Sequence, residues 1–128
     1  MRFHTTDFES SGLDIFVFGS NLSGRHGKGA ARDALAYGAK YGVGKGLVGN
    51  SYAIPTKDHK IQTLPLQLIA RYVSEFLDFT TISNNSFYVT RIGCGLAGYS
   101  DFEIAPMFKS SGNNVYLPRF INFNFCLS

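Results

Sequence analysis

Asp14-Ile15-Phe16-Val17-Phe18 runs straight into Gly19-Ser20-Asn21-Leu22-Ser23-Gly24-Arg25-His26-Gly27-Lys28-Gly29, and this junction decides the fold. After Asp14, the run is apolar, β-branched and aromatic until it stops at Gly19. A strand covered on one face alternates apolar with polar residues, whereas one covered on both faces is apolar throughout. The segment is therefore predicted to be a central strand feeding a glycine-rich loop. Beyond the loop, Ala30 to Lys40 is alanine-rich and favours helix, with Ala31, Ala34, Leu35 and Gly38 on one face. Small residues on that face imply close packing against a sheet.

Working outward, residues 41–50 carry four glycines and read as a loop or hairpin. Ser51-Tyr52-Ala53-Ile54 reads as a second strand, ended by Pro55. Ile69, Tyr72, Val73, Phe76 and Leu77 recur at helical spacing and predict a helix over 64–79. Thr63 is its expected N-cap, and Pro65 is tolerated in the first turn. Residues 87–92 form a third expected strand, running into Gly93-Cys94-Gly95-Leu96-Ala97-Gly98. Ser100 and Glu103 have capping-box spacing and open a third helix. Asn114 to Leu117 reads as a last strand, stopped by Pro118. Strands alternating with helices predict an α/β domain with a mostly parallel sheet and helices on its faces. Residues 1–12 read as a short leader. In the tail, Ile121, Phe123, Phe125 and Leu127 alternate with polar residues and Cys126, which fits an edge strand, a dimer contact or a frayed end.

The 128 residues suit one domain, with 45% hydrophobic and 16% charged residues. A net charge of +3, without a basic stripe, argues against a dedicated nucleic-acid binder. Arg25, Lys28 and Arg32 are the one basic grouping, and they fall where glycines fall, which suggests a local anion pocket. Cys94 and Cys126 have neither metal nor disulfide spacing, so a reducing compartment is expected and no metal or cofactor is implied. No apolar run is long enough for a signal peptide or a membrane span. A cytoplasmic location is the resulting expectation, with the oligomeric state left open.

Ligands of open α/β sheets sit beyond the carboxyl ends of the strands. Both glycine loops follow such ends, so parallel strands would set them on one rim. Glycine lets backbone N–H groups approach phosphate closely, and two such loops suit a diphosphate. The P-loop pattern fails, because Leu22 replaces its first glycine and Gly29 its Ser or Thr. Gly93, Gly95 and Gly98 match the dinucleotide fingerprint, but the ribose-binding acid expected about 20 residues later is missing.

The segment from Val17 to Leu22, with Gly27-Lys28-Gly29-Ala30-Ala31, resembles the first ligand loop of macrodomains. Arg91-Ile92-Gly93-Cys94-Gly95-Leu96 resembles the second phosphate loop of the macrodomain branch that removes ADP-ribose from carboxylate side chains. Most of residues 14–118 is similar to a small phage and bacterial family often labelled ADP-ribosyl-(dinitrogen reductase) hydrolase. The likeness runs through the first loop, Ser51 to Asp58, and Thr90 to Phe108. It implies one compact macrodomain-like domain, three-layer α/β/α, with a core over about 14–118 and residues 119–128 as a tail or edge strand. It also implies ADP-ribose as the ligand, with Asn21 near the distal ribose and Gly93 to Gly98 around the diphosphate. Lys57 stands where that branch has its catalytic lysine, and Ala97 stands where it has an aspartate.

The candidate catalytic residues are Asn21, Lys57 and Asp58, with Asp58 as a base that could activate water. Asp101 and Asp33 are further acids, for which a helix-start or surface role is the simpler reading. The candidate binding residues of the first loop are Gly19, Ser20, Asn21, His26, Gly27, Lys28, Gly29 and Ala30. Thr56 follows the second strand. In the second loop they are Gly93, Cys94, Gly95, Leu96, Ala97 and Gly98, then Tyr99, which either stacks on a base or ribose or packs in the core. His26 is the natural titrating group of its loop, and Cys94 reads best as a small packing residue. The expected function is binding of ADP-ribose or a derivative with hydrolysis of an ADP-ribosyl linkage; the alternative is binding and sequestration of ADP-ribose or a cyclic relative without turnover. Ala97 favours the second, while Asn21, Lys57 and Asp58 leave the first open.

Overall fold

The computed structural model describes residues 1–93 and 98–119. Among these, the elements in chain order are β1 (Arg2–His4), α1 (Phe8–Ser11), β2 (Ile15–Asn21), α2 (Gly29–Ala34), β3 (Gly46–Val48), β4 (Ser51–Lys57), α3 (Leu66–Thr81), β5 (Phe87–Val89), α4 (Asp101–Ile104) and β6 (Val115–Pro118). The strands form one sheet in the order β1-β6-β5-β2-β4-β3. Every neighbouring pair is parallel except β3 with β4. The expected mostly parallel α/β architecture is what forms.

β2 shows why its sequence is apolar throughout. Ile15 and Val17 join a large core with α3, α4 and β6, while Phe16 and Phe18 join a second core with Ala31, Ala34 and Ala39. β4 repeats the division, with Tyr52 and Ile54 on the first side and Ala53 on the second. Two cores on opposite faces of one sheet make three layers. Alanines on α2 let its backbone lie close to the sheet beneath the first loop, as their size suggested.

α3 buries Ile69, Val73, Phe76 and Leu77, the stripe its periodicity predicted. It begins at Leu66 with Pro65 as N-cap, rather than at 64 with Thr63. Thr63 instead bridges Lys57, so the chain is still extended there. α4 opens with the expected capping box: the Ser100 backbone N–H donates to Glu103 Oε1 at 3.0 Å. That bond, with a second from the Ser100 hydroxyl, holds the Glu103 carboxyl below its ordinary range.

The 41–50 segment takes the hairpin alternative, with its edge strand β3 antiparallel to β4. Elsewhere the chain departs from expectation. The leader contributes β1, which pairs with β6. β4 does not end at Pro55 but continues to Lys57. β3 last pairs with Ala53, so Pro55 sits beyond the edge strand's reach, where a missing N–H breaks no ladder on that side. The expected tail strand, residues 120–128, lies outside the described residues.

β1 is locked by His4, whose Nε2–H donates to the Val89 carbonyl at 2.7 Å and whose ring stacks on Tyr88 at 3.6 Å. Burial pushes the His4 pKa below its ordinary 6.5, against a smaller opposing effect of the Val89 carbonyl. The unfolded chain therefore binds this proton more readily than the folded one. Stability from this group is present above the unfolded value and declines as pH falls from about 6.5 through the folded pKa. Melting curves between pH 8 and about pH 5 should show a smaller acid loss in His4→Gln than in the wild type. Equal losses would remove His4 from the account.

Candidate functional site

The carboxyl ends of β2, β4 and β5 meet the start of α2 around a cavity of about 520 Å³. Gly19, Ser20 and Asn21 come from β2, and Thr56 and Lys57 from β4. Thr90, Arg91 and Gly93 follow β5, and Arg25, Gly27, Lys28, Gly29, Ala30 and Ala31 come from the first loop and α2. Ile61 completes the wall. Four cationic side chains and four glycines thus share one lining, with no carboxylate among the described lining residues. In such a concave, partly apolar setting an anion gains more from each cation than it would in bulk water.

β2 reaches Asn21, past the glycine where the sequence suggested it would stop. Thr56 Oγ1 donates to the Ser20 carbonyl at 3.2 Å, and Leu22 N–H donates to the Lys57 carbonyl at 2.9 Å, so β4 carries β2 onward. This register places Asn21 opposite Lys57. The Asn21 side chain is largely committed to its own loop. Its Oδ1 accepts from Ser23 Oγ at 2.7 Å and Arg25 N–H at 2.9 Å, and its Nδ2 donates to the Arg25 carbonyl at 2.7 Å. Asn21 therefore shapes the turn that carries Arg25, while still lining the cavity.

The first loop rests on residues 38–46. Gly42 N–H donates to the Gly24 carbonyl at 3.0 Å, and Ser20 Oγ donates to the Gly44 carbonyl. His26 belongs to this contact and not to the cavity. Its side chain is fully buried, with Nε2–H shared between the carbonyls of Lys40 at 2.9 Å and Val43 at 3.2 Å. Phe18 meets the ring edge-on, and Nδ1 has no hydrogen-bond partner among the described residues. The expected ligand-facing histidine is thus a loop anchor, because burying its ring against Phe18 removes it from water and ligand alike.

Two more candidates stand away from the cavity. Asp58 accepts the N–H groups of Lys60 at 2.8 Å and Gln62 at 2.9 Å. The Gln62 N–H is the main cause holding its carboxyl below the ordinary range, which makes it a poor base. Tyr99 donates its hydroxyl to the Leu64 carbonyl at 2.7 Å and packs against the large core, so stacking on a ligand is replaced by core packing. Gly98 is described but does not line the cavity. Cys94, Gly95, Leu96 and Ala97 lie outside the described residues.

Arg91 is the residue the sequence reading passed over as a binding group. It lines the cavity while its Nη2 donates to Asp101 Oδ1 at 2.9 Å and its Nε to the same oxygen at 3.3 Å. A cation two residues before Gly93 was the signal available. Asp101 consequently steadies a cation at the rim. Asp33 and Arg32 line a second, more open cavity of about 600 Å³ with Asp7, Glu9 and the aromatic rings of Phe8, Phe16, Tyr37 and Tyr88. The two cavities share Ala30 and Thr90. Among the described residues, no cluster of three or more His, Cys, Asp or Glu could hold a metal ion, and no helix is long and apolar enough to cross a membrane.

Compared with family models, curated proteins and solved structures, the chain finds no match in any of the three.

Proposed function

We propose that this protein binds ADP-ribose or a close derivative and holds it without turnover. The observation that carries the reading is the cavity formed by Arg25, Lys28, Lys57 and Arg91 with glycine backbone and without a carboxylate. Such a lining suits a diphosphate, since each cation can form a charge-assisted hydrogen bond and the glycines leave backbone N–H groups uncovered. The adjoining cavity suits the other half of the molecule. Its aromatic side chains supply an apolar wall for a purine, and the carboxylates of Asp7, Glu9 and Asp33 can accept from an amino group. Residues Ala30 and Thr90, common to both, allow one extended ligand to occupy the pair.

Hydrolysis of an ADP-ribosyl linkage is the second reading. Lys57, set opposite Asn21 at the cavity wall, favours it. Catalysis would then rest on positioning a water rather than on a carboxylate base. Calorimetry with ADP-ribose, ADP, AMP and NAD tests the main reading. Selective binding of ADP-ribose is the expected result, and no heat from any of the four would overturn it. A protein bearing ADP-ribose on its carboxylates should keep it during incubation; release of free ADP-ribose would shift the function to the second reading.

A further inference from the structure

Among the described residues, Ile61 is the one non-glycine with a positive φ, at 63°. A β-branched side chain is disfavoured there, because its Cβ crowds the neighbouring carbonyl oxygen. The surrounding turn holds it in place. Lys57 bridges Thr63, Asp58 N–H donates to the Gln62 carbonyl at 2.8 Å, and Ile61 N–H donates to the Asp58 carbonyl at 3.1 Å. The Asp58 carboxylate then fastens the turn from inside through Lys60 and Gln62. A turn needing only to reverse the chain would be met by Gly or Asn at this position. Core packing does not explain the isoleucine either, since 36% of its surface is exposed. What its side chain does reach is the cationic cavity, whose wall it shares with Lys57.

We infer that Ile61 is a specificity-determining residue, an apolar wall beside Lys57 that Asp58 positions and that selects a ligand carrying a sugar beyond its phosphates. The inference rests on the reading of the cavity as an ADP-ribose site. An aliphatic wall gains from the carbon face of a terminal ribose, whereas a ligand ending in a bare phosphate gains nothing from it and is desolvated beside it. Ile61 belongs to the cationic cavity alone, apart from the Ala30 and Thr90 junction with the aromatic one. A ligand with its base in the aromatic cavity would therefore meet Ile61 with its far end. Asp58 acts through this wall and not as a base.

The test is calorimetry with ADP-ribose and ADP, together with melting temperatures, on the wild type, Ile61→Asn, Ile61→Val, Asp58→Ala and Asp58→Asn. Asparagine tolerates the left-handed region, so Ile61→Asn should melt no lower than the wild type. It should bind ADP-ribose about tenfold more weakly, with ADP affinity unchanged or somewhat higher. Ile61→Val should keep the wild-type preference. Asp58→Ala should lose the preference, and Asp58→Asn, which can accept the same backbone hydrogen bonds, should restore it. Wild-type affinity in Ile61→Asn, an equal loss for both ligands, a lower melting temperature, or no rescue by Asp58→Asn would each overturn the inference while leaving the binding site standing. A wild type that binds neither ligand overturns the site itself, and the wall with it.

Discussion

Gly44→Ala should destabilise the protein by about 3 kcal/mol and lower its melting temperature by about 10 °C, although residue 44 lies outside the cavity lining. A Cβ built there would stand 2.0 Å from the Asn21 carbonyl oxygen and 3.0 Å from Leu22 Cα. Both are backbone atoms of the strand end that leads into the first glycine loop, so no side-chain rotation relieves the overlap. Either the 38–46 segment lifts away or the end of β2 shifts. Each route breaks the Ser20 hydroxyl bond to Gly44 and loosens the seat of His26, whose Nε2–H depends on Lys40 and Val43 carbonyls in the same segment. Gly27→Ala is the control. Among the described residues, no atom of a non-neighbouring residue lies within 4 Å of a Cβ at that position, and its φ is not among the positive ones. Its stability should stay within about 0.5 kcal/mol of the wild type. Chemical denaturation of both variants checks the pair, and equal stability would mean that the two loops do not lean on each other as described.

Lys57→Glu should weaken ADP-ribose binding by about a hundredfold, or about 3 kcal/mol, with little change in melting temperature. Lys57 ends β4, is only half-buried, and faces a lining whose other charges are all positive. In the proposed complex, reversal removes one charge-assisted contact to the diphosphate and sets a carboxylate against it. Arg71→Glu makes the same change in net charge from an exposed position on α3 and should leave affinity within about twofold. Wild-type affinity should fall as salt is raised, and less steeply in Lys57→Glu. Equal effects from residues 57 and 71 would show that overall charge, and not the cavity, attracts the ligand.

Much of the framework was legible because local pattern and burial agree. The apolar runs at 15–18 and 51–54 can be satisfied only by strands covered on both faces, and α3 carries its apolar stripe at helical spacing. The start of α4 could be read from Ser100 and Glu103 because a capping box is a contact between near neighbours. β1 was not legible: its three residues are too few for periodicity, and it exists because β6 offers it an edge. β3 was legible only as the hairpin alternative for 41–50, for the same shortness of pattern. The ends of β2 and β4 were misjudged for a related reason, since each strand extends the other beyond the point where Gly19 and Pro55 would stop it alone.

The layers, the parallel sheet and the position of two glycine loops after strand ends follow from residue periodicity and from what glycine permits. Which side chains face the cavity is set by contacts between segments distant in sequence. His26 and Arg25 are adjacent in the chain, yet one is sealed under the 38–46 segment and the other lines the site. Lys57 lines the cavity, while its neighbour Asp58 turns its carboxylate to the backbone N–H groups of Lys60 and Gln62 in the turn that carries Ile61. The direction of a loop side chain depends on partners distant in sequence, here carbonyls and edges supplied by other segments, and no local pattern encodes them.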